Sequence, residues 1–318
     1  MPEYGILFVN SISPLHNGAG VSLGLIDNPI IRERTTAYPI IQASSLKGVL
    51  RDKYEEKLVE PDGTKERAFV LFGPTPEEGG SEYAGAISFS EGQLLAFPIR
   101  SLKGNFVWAT SALALTRFNR CLKISNVSSF SELDTLVKTL KDNNISANVQ
   151  ICKSEINSIL VSDKLILEEF SYSAEENELL TKFASQLSST IFQNPKQQFL
   201  KSEFDKKLVL LADDTFNYFI QNATEVTPNI KINDKTGTTQ DGSLRYTEYL
   251  PSETILYSLL TFEKGRNPNS EDLNLDNSQD VRKLFAENKP SIIQVGGDET
   301  TGKGLVHLTL INGENNDK

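Results

Sequence analysis

A chain of 318 residues with 38% hydrophobic and 23% charged residues is long enough to bury a core without staples and has the balance of a globular protein. Its two cysteines, Cys121 and Cys152, form no CxxC pair, which excludes a disulfide framework and a thiolate zinc site and points to a reducing compartment. The net charge of −10 argues against a uniformly basic nucleic-acid binder.

Residues 1–6 carry no basic region followed by an apolar run, and no stretch approaches the length of a membrane span, so the expected compartment is the cytoplasm. Residues 5–10 read as a short buried strand, followed by a Gly-rich loop without periodicity that carries His16, Gly18, Gly20, Gly24 and Asp27. Ser44 and Ser45 read as an N-cap, and Leu46, Val49, Leu50, Tyr54 and Leu58 follow at helical spacing. A second helix is predicted over 65–72, stopped by Gly73-Pro74. Residues 86–90 and 94–97 alternate around Glu91-Gly92, the signal of a hairpin. Residues 94–131 contain no Asp or Glu but hold Arg100, Lys103, Arg117, Arg120 and Lys123. That stretch is either a local anion-facing patch or a half-buried strand and helix with basic ends.

Helices are predicted from Thr110 or Ser111 to 123, over 131–141 and over 174–192, with strand-like segments between 148 and 170. A strand at 207–211, a helix at 213–222, a strand at 255–262, a helix at 279–286 and strands at 292–295 and 305–311 complete the pattern. No fixed-period repeat or disordered linker interrupts it, so the fold class is α+β, read as one elaborated domain over 1–318. Within it, 226–246 has Ile230 and Ile232 in alternation, a tip rich in Gly, Asn, Asp and Thr, then Leu244 and Tyr246. That is a long inserted hairpin with little core of its own, either a surface excursion or an arm that touches a partner.

Near the C-terminus, Gly297-Asp-Glu-Thr-Thr-Gly302-Lys303-Gly304 nearly spells the phosphate-binding loop GxxxxGK[ST]. Gly304 stands where the Mg²⁺-holding hydroxyl belongs, Asp298 and Glu299 would repel a triphosphate, and 305–310 alternates as a strand where a helix is required. Nucleotide hydrolysis is therefore excluded. What remains is a Gly-rich turn whose N–H groups can approach a phosphate, or a hairpin turn without a ligand. Ser44, Ser45 and Lys47 at a helix start, with Arg51 one turn on, offer hydroxyls, free N–H groups and charge to an anion, although an ordinary N-cap looks the same. His16 and His307 are the only histidines; a paired-histidine ribonuclease needs both in one site, and His307 falls mid-strand. Asp27, between Leu25-Ile26 and Pro29-Ile30, is either a turn residue bonded to its own backbone or an acid that holds Mg²⁺ beside a phosphodiester.

Taken together, His16-Asn-Gly-Ala-Gly20, Gly24-Leu-Ile-Asp-Asn-Pro-Ile-Ile-Arg-Glu33, Ser44-Ser-Leu-Lys-Gly-Val-Leu-Arg51, Phe97-Pro-Ile-Arg-Ser-Leu-Lys-Gly104, Tyr246-Thr-Glu-Tyr-Leu-Pro251 and Ile293-Gln-Val-Gly-Gly-Asp-Glu-Thr-Thr-Gly-Lys-Gly304 resemble the RAMP superfamily. Within it they are similar to the repeated backbone subunit of type III-B CRISPR (Cmr) effector complexes. The resemblance implies an RRM-like, ferredoxin-type βαββαβ palm, helical fingers inserted into it, and a β-hairpin thumb at 226–246. It implies copies stacked along a CRISPR guide RNA, each thumb interrupting guide–target pairing at regular intervals. A metal-dependent cut of the single-stranded target RNA, with Mg²⁺ or Mn²⁺ as cofactor and the target 2′-hydroxyl as nucleophile, would fall beside each thumb.

The family's key acid maps onto Asp27, the implied metal ligand. His16 lies in the implied loop near the RNA, and Glu248 and Tyr249, just behind the thumb, complete the candidate catalytic group. Ser44, Ser45, Lys47 and Arg51, with Gly296, Gly297, Thr301 and Lys303, map to guide-backbone contacts, and Arg100 and Lys103 are further candidate RNA contacts. Implied partners are the guide, the target, further copies of the chain and other subunits of the complex, with no membrane. The alternatives are a purely structural guide-binding subunit and a metal-independent RNA-processing nuclease of the same superfamily.

Overall fold

The computed structural model describes residues 1–20, 24–61, 63–75, 83–142, 148–153, 158–267 and 271–313. β1 (Glu3–Ser11) is apolar at both parities: Ile6 and Phe8 enter one core and Leu7 and Val9 the other. A strand with no polar face must be covered on both sides, and β1 accordingly lies inside the sheet. It pairs antiparallel with β13 (Ile255–Phe262) and with β15 (Leu305–Asn312), and β13 pairs in turn with β4 (Gly92–Arg100). α1 (Ala43–Lys57) lies between β1 and β4 in the chain, and α8 (Ser278–Asn288) between β13 and β15. The order β15-β1-β13-β4 with these two crossover helices is the expected ferredoxin-type βαββαβ palm.

α1 and α8 cover one face, where the Tyr54 ring stacks on Phe285 with centroids 5.3 Å apart and α2 (Glu66–Phe72) adds Phe72. On the other face Phe8, Phe118, Phe130, Phe183 and Tyr257 meet. They bind the sheet to α3 (Ala112–Ser125), α4 (Ser131–Asp142) and α5 (Glu178–Ile191), and α6 (Gln198–Lys207) joins through Phe204 against Trp108. Everything from 101 to 254 is inserted between β4 and β13. That insertion extends the sheet through β5 (Phe106–Ser111), β10 (Leu208–Leu211), β6 (Asn148–Cys152), β9 (Phe170–Asn177), β8 (Lys164–Leu167) and β7 (Leu160–Val161). β14 (Ile292–Gln294) closes the opposite edge beside β15.

Three local expectations fail, each for a physical reason. Residues 86–97 do not form a hairpin: β3 (Ile87–Phe89) and β4 both run antiparallel to β13 along the same side, as one strand broken at Ser90. The break is held by Ser90 itself, whose hydroxyl accepts from Leu259 N and whose carbonyl accepts from the Ser258 hydroxyl. Gly92 serves not a turn but the close passage of β2 (Ile40–Ile41), since a Cβ there would lie 3.0 Å from Ile41 Cβ. The helix expected over 174–192 starts only at Glu178, because Asn177 caps it by accepting from Leu180 N, and 174–177 belong to β9. Ser44 and Ser45 lie inside the first turn of α1, whose N-cap is Gln42. Ser111, by contrast, caps α3 as expected by accepting from Ala114 N.

α7 (Asp213–Asn222) leads into the hairpin of β11 (Glu225–Asn229) and β12 (Arg245–Tyr249), paired from Glu225↔Tyr249 to Asn229↔Arg245. All of β11 is exposed, whereas β12 passes from exposed Arg245 and Tyr246 to buried Thr247, Glu248 and Tyr249. The hairpin thus projects from the body while its root is planted in it.

Candidate active site

The irregular loop after β1 is pinned at the hairpin root by backbone pairing. Leu15 and Leu250 exchange both N–H···O bonds, at 2.9 and 2.8 Å, and Gly297 N donates to His16 O at 2.9 Å. Gly296 has φ 85°, and a Cβ on it would sit 2.2 Å from His16 O, so only glycine lets the two backbones meet. His16 Nδ1 lies 2.7 Å from Glu248 O. A carbonyl only accepts, so Nδ1 is the donor in this contact, and in the neutral ring the lone pair then falls on Nε2. A Cβ at residue 18 would come 2.7 Å from that Nε2, so a side chain there would crowd the nitrogen.

Asp27 is held along the same edge of β12. Its Oδ2 accepts from Tyr246 N at 2.7 Å, and Asn28 bonds both neighbours of Thr247, donating to Tyr246 O and accepting from Glu248 N, each at 3.0 Å. The acid therefore has a backbone partner, which the sequence did not indicate, and that partner is the last exposed residue of β12 before the buried root. Glu248 is 3% exposed, and its carboxylate receives Arg32 Nη2, Thr224 Oγ1 and Ile30 N. The Tyr249 hydroxyl donates to Asp298 Oδ2 at 2.7 Å, its ring meets His16 edge-on at 5.6 Å, and Lys303 Nζ stands over it at 4.8 Å. Burial, reinforced by the Asp298 carboxylate, pushes the Tyr249 phenol up to about 12, so it stays protonated at neutral pH.

The other candidates divide into two groups. Asn17 joins the start of α1 to this centre: its amide donates to Ile40 O at 3.1 Å and accepts from the Ser45 hydroxyl at 3.4 Å. Ser44, Ser45, Lys47 and Arg51 thus stand on a helix whose first turn adjoins the His16 loop. Two acids temper that anion site, since the Glu91 carboxylate accepts from Ala43 N at 2.8 Å and Arg51 Nε is bonded to Glu55 at 2.6 Å. Burial, then the nearby Arg51, lower the Lys47 ammonium below its usual value. In the Gly-rich turn, Thr301 Oγ1 donates to Asp298 O at 2.8 Å, and the chain enters β15, a strand, as expected. Arg100 and Lys103 lie elsewhere, at the end of β4 near β7 and β8, where Arg100 is 3.4 Å from Glu168 and Lys103 Nζ donates to Leu160 O at 2.9 Å. With Arg117 paired to Glu33 and Lys123 to Asp134, acids from other segments answer much of the basic stretch, which is the blander of its two readings.

Asn17, Arg32, Thr224 and Asp298 are the participants that sequence reasoning did not single out. Asn17, Arg32 and Asp298 all lie within segments that resemble the RAMP superfamily, whereas Thr224 lies outside them. Among the described residues no group of three or more His, Cys, Asp or Glu side chains converges as a metal cage. A lone carboxylate with one oxygen turned to Tyr246 N suits only a hard cation such as Mg²⁺ that keeps most of its waters and takes further ligands from phosphate.

Comparison with known proteins gives one consistent result. The model of the RAMP superfamily matches residues 8–307. The chain is 35% identical over 311 residues to the CRISPR system Cmr endoribonuclease Cmr4 of Pyrococcus furiosus, covering 96% of this chain and 95% of that one. It is 27% identical to the CRISPR system CMR subunit Cmr4 of Saccharolobus solfataricus, covering 96% of each. The crystal structure of oligomeric Cmr4 from Pyrococcus furiosus superposes with a TM-score of 0.68 at 28% identity, over 98% of this chain and 99% of that one. A chain of the cryo-EM structure of a type III-B Cmr-beta complex bound to cognate target RNA shares the fold, with a TM-score of 0.72 at 23% identity.

Proposed function

The chain belongs to the RAMP superfamily, and from that premise we propose that it is a guide-RNA-binding backbone subunit of a cytoplasmic type III-B CRISPR complex that cuts target RNA endonucleolytically. The 225–249 hairpin is its thumb, and further copies, other subunits of the complex, the guide and the single-stranded target are its partners. The observation that carries the reading is the convergence of His16 and Asp27 on the hairpin root, each tied there by a bond to β12. RNA laid across the thumb is thereby brought to both groups at once.

The chemistry follows from positioning. A nucleotide displaced from pairing by the thumb can align its 2′-hydroxyl with the adjacent phosphate, and alignment alone supplies much of the rate. In the neutral ring, Nε2 of His16 carries a lone pair suited to take the hydroxyl proton. The Asp27 carboxylate, with its Oδ2 on Tyr246 N, is the group that would hold Mg²⁺ or Mn²⁺ in company with waters and phosphate oxygens; when bound, such a cation neutralises charge developing on the phosphorane. Lys47 and the Gly296–Lys303 turn supply charge and N–H groups to the guide backbone, contacts that fix register without reading sequence.

The assembled complex is the proper test. With Mg²⁺ it should cut guide-complementary RNA at regular intervals, leaving 2′,3′-cyclic phosphate ends, and EDTA should stop it. Binding without cutting would assign the chain a purely structural role, and cutting in EDTA would assign it to the metal-independent class.

A further inference from the structure

Three donors from two segments, the 30–32 loop and Thr224, converge on the buried Glu248 carboxylate. Arg32 Nη2 reaches Oε1 at 2.5 Å and Thr224 Oγ1 the same oxygen at 2.9 Å, while Ile30 N reaches Oε2 at 3.0 Å. Only an acceptor-only group satisfies such a set, and a buried carboxylate stays ionised only when paired and hydrogen-bonded. Arg32 Nη1 meanwhile donates to Ala37 O at 3.0 Å and to Ile220 O at 2.9 Å, tying the end of α7 to the loop. The Glu248 main chain is engaged as well, its N–H donating to Asn28 O and its carbonyl bonding His16 Nδ1. Both candidate reacting groups therefore hang on one residue: His16 through the Glu248 carbonyl, Asp27 through its neighbour Asn28.

We infer that Arg32 and Glu248 are positioning residues for RNA cleavage, a buried ion pair that fixes Asp27 and His16 at the hairpin root and touches neither RNA nor cation. This rests on the cleavage reading above. Protein donors fill three of the roughly four lone-pair sites of the Glu248 carboxylate, and the residue is 3% exposed, which leaves little room for a cation or RNA. A ligand that displaced any donor would leave it unpaired in a buried place. Arg32 spans three acceptors with its planar fork, which a lysine cannot do.

The test is single-turnover cleavage by the assembled complex at saturating target, over a range of Mg²⁺ concentrations, with target affinity measured alongside. The proteins are wild type, Arg32→Ala, Arg32→Lys, Glu248→Gln and the double variants. Because a misplacement of about 1 Å costs on the order of 10²-fold, Arg32→Ala and Glu248→Gln are each expected to slow cleavage by that order with target affinity unchanged. Arg32→Lys should fall between. Each double variant should be no slower than its slower single, since both changes break one interaction. The Mg²⁺ concentration for half-maximal rate should stay at the wild-type value throughout. Independently of activity, the Ile30 amide should exchange hydrogen faster in Glu248→Gln. Losses that multiply in the double variants, or a half-maximal Mg²⁺ concentration raised in Glu248→Gln alone, overturn the inference and make Glu248 a cation ligand. If Arg32→Ala blocks assembly, Arg32→Lys with Glu248→Gln supplies the same cycle. A wild-type complex that never cuts defeats the cleavage reading itself, a result distinct from any of these.

Discussion

Replacing Asp27 separates its two roles, because the structure gives its carboxylate a backbone partner on the strand that also holds His16. Oδ2 accepts from Tyr246 N at 2.7 Å, and a hydrogen bond to a charged acceptor contributes about 1.5–3 kcal/mol. Asp27→Ala removes that bond and the charge together, so it should loosen the hairpin root as well as stop cleavage. Asp27→Asn keeps an oxygen for Tyr246 N, retaining about 1 kcal/mol of a neutral hydrogen bond, but loses the charge. If the charge acts on the phosphorane, its loss removes roughly 3–4 kcal/mol of transition-state stabilisation. At about 1.4 kcal/mol per tenfold, that slows cutting on the order of 10²- to 10³-fold. Target affinity should be unchanged in Asp27→Asn, since the stabilisation is confined to the transition state. The assay is target binding and single-turnover cleavage of both variants in the assembled complex. An Asp27→Asn complex that cuts at the wild-type rate would show that the residue is a turn anchor and nothing more, and the catalytic assignment would be wrong.

Lys47→Ala should weaken guide binding irrespective of sequence and lower the slope of log affinity against log salt by about 1; Arg51→Ala should do less, because Glu55 already holds its Nε, and unchanged slopes for both refute an anion site at α1. Tyr249→Phe keeps the ring beneath Lys303 and against His16 but drops the bond to Asp298, so it should cost about 1 kcal/mol in stability and leave cleavage within a few-fold; a loss of 10²-fold or more, in an assay of rate against pH, would make the phenol a proton donor. Glu253, raised by burial from 4.5 to about 7, favours the fold as the neutral acid, so its contribution is complete below about 4.5 and lost as pH rises through about 7. That loss is on the order of 3 kcal/mol at 1.36 kcal/mol per unit: melting temperature should fall between about pH 5 and 8 in wild type, and a Glu253→Gln protein with the same slope refutes the assignment.

What the sequence disclosed depended on whether the signal was local. β1 was legible because its apolar residues run unbroken, and α1 because Leu46, Leu50 and Tyr54 recur at helical spacing and are all buried. The 86–97 segment misled because Gly92 carries the same signal whether it makes a turn or clears space for Ile41. α6 went unnoticed because only Phe204 and Lys207 of its ten residues are buried, too few to set a period. In the site, the Gly-rich loop could be seen to be irregular, but its function could not: Arg32 and Glu248 are 216 positions apart, and no window along the chain relates them. The resemblance carried Asp27, His16, Glu248 and Tyr249; tertiary geometry alone gave Glu248 its partners Arg32, Thr224 and Ile30.

The site lies where the chain changes from projecting arm to packed body. Arg245 and Tyr246 are exposed and the next three residues are buried, and Asp27 is bonded to the last exposed one. The arm beyond that line has almost no core, so RNA can displace its tip without moving the acid, whereas the root is held by Leu15 and Asn28 through backbone bonds. In a stack of identical copies, each contributing one such root, the interval between cuts is then set by the spacing of the roots. Target sequence has no part in that spacing, because the groups that hold the root are all protein.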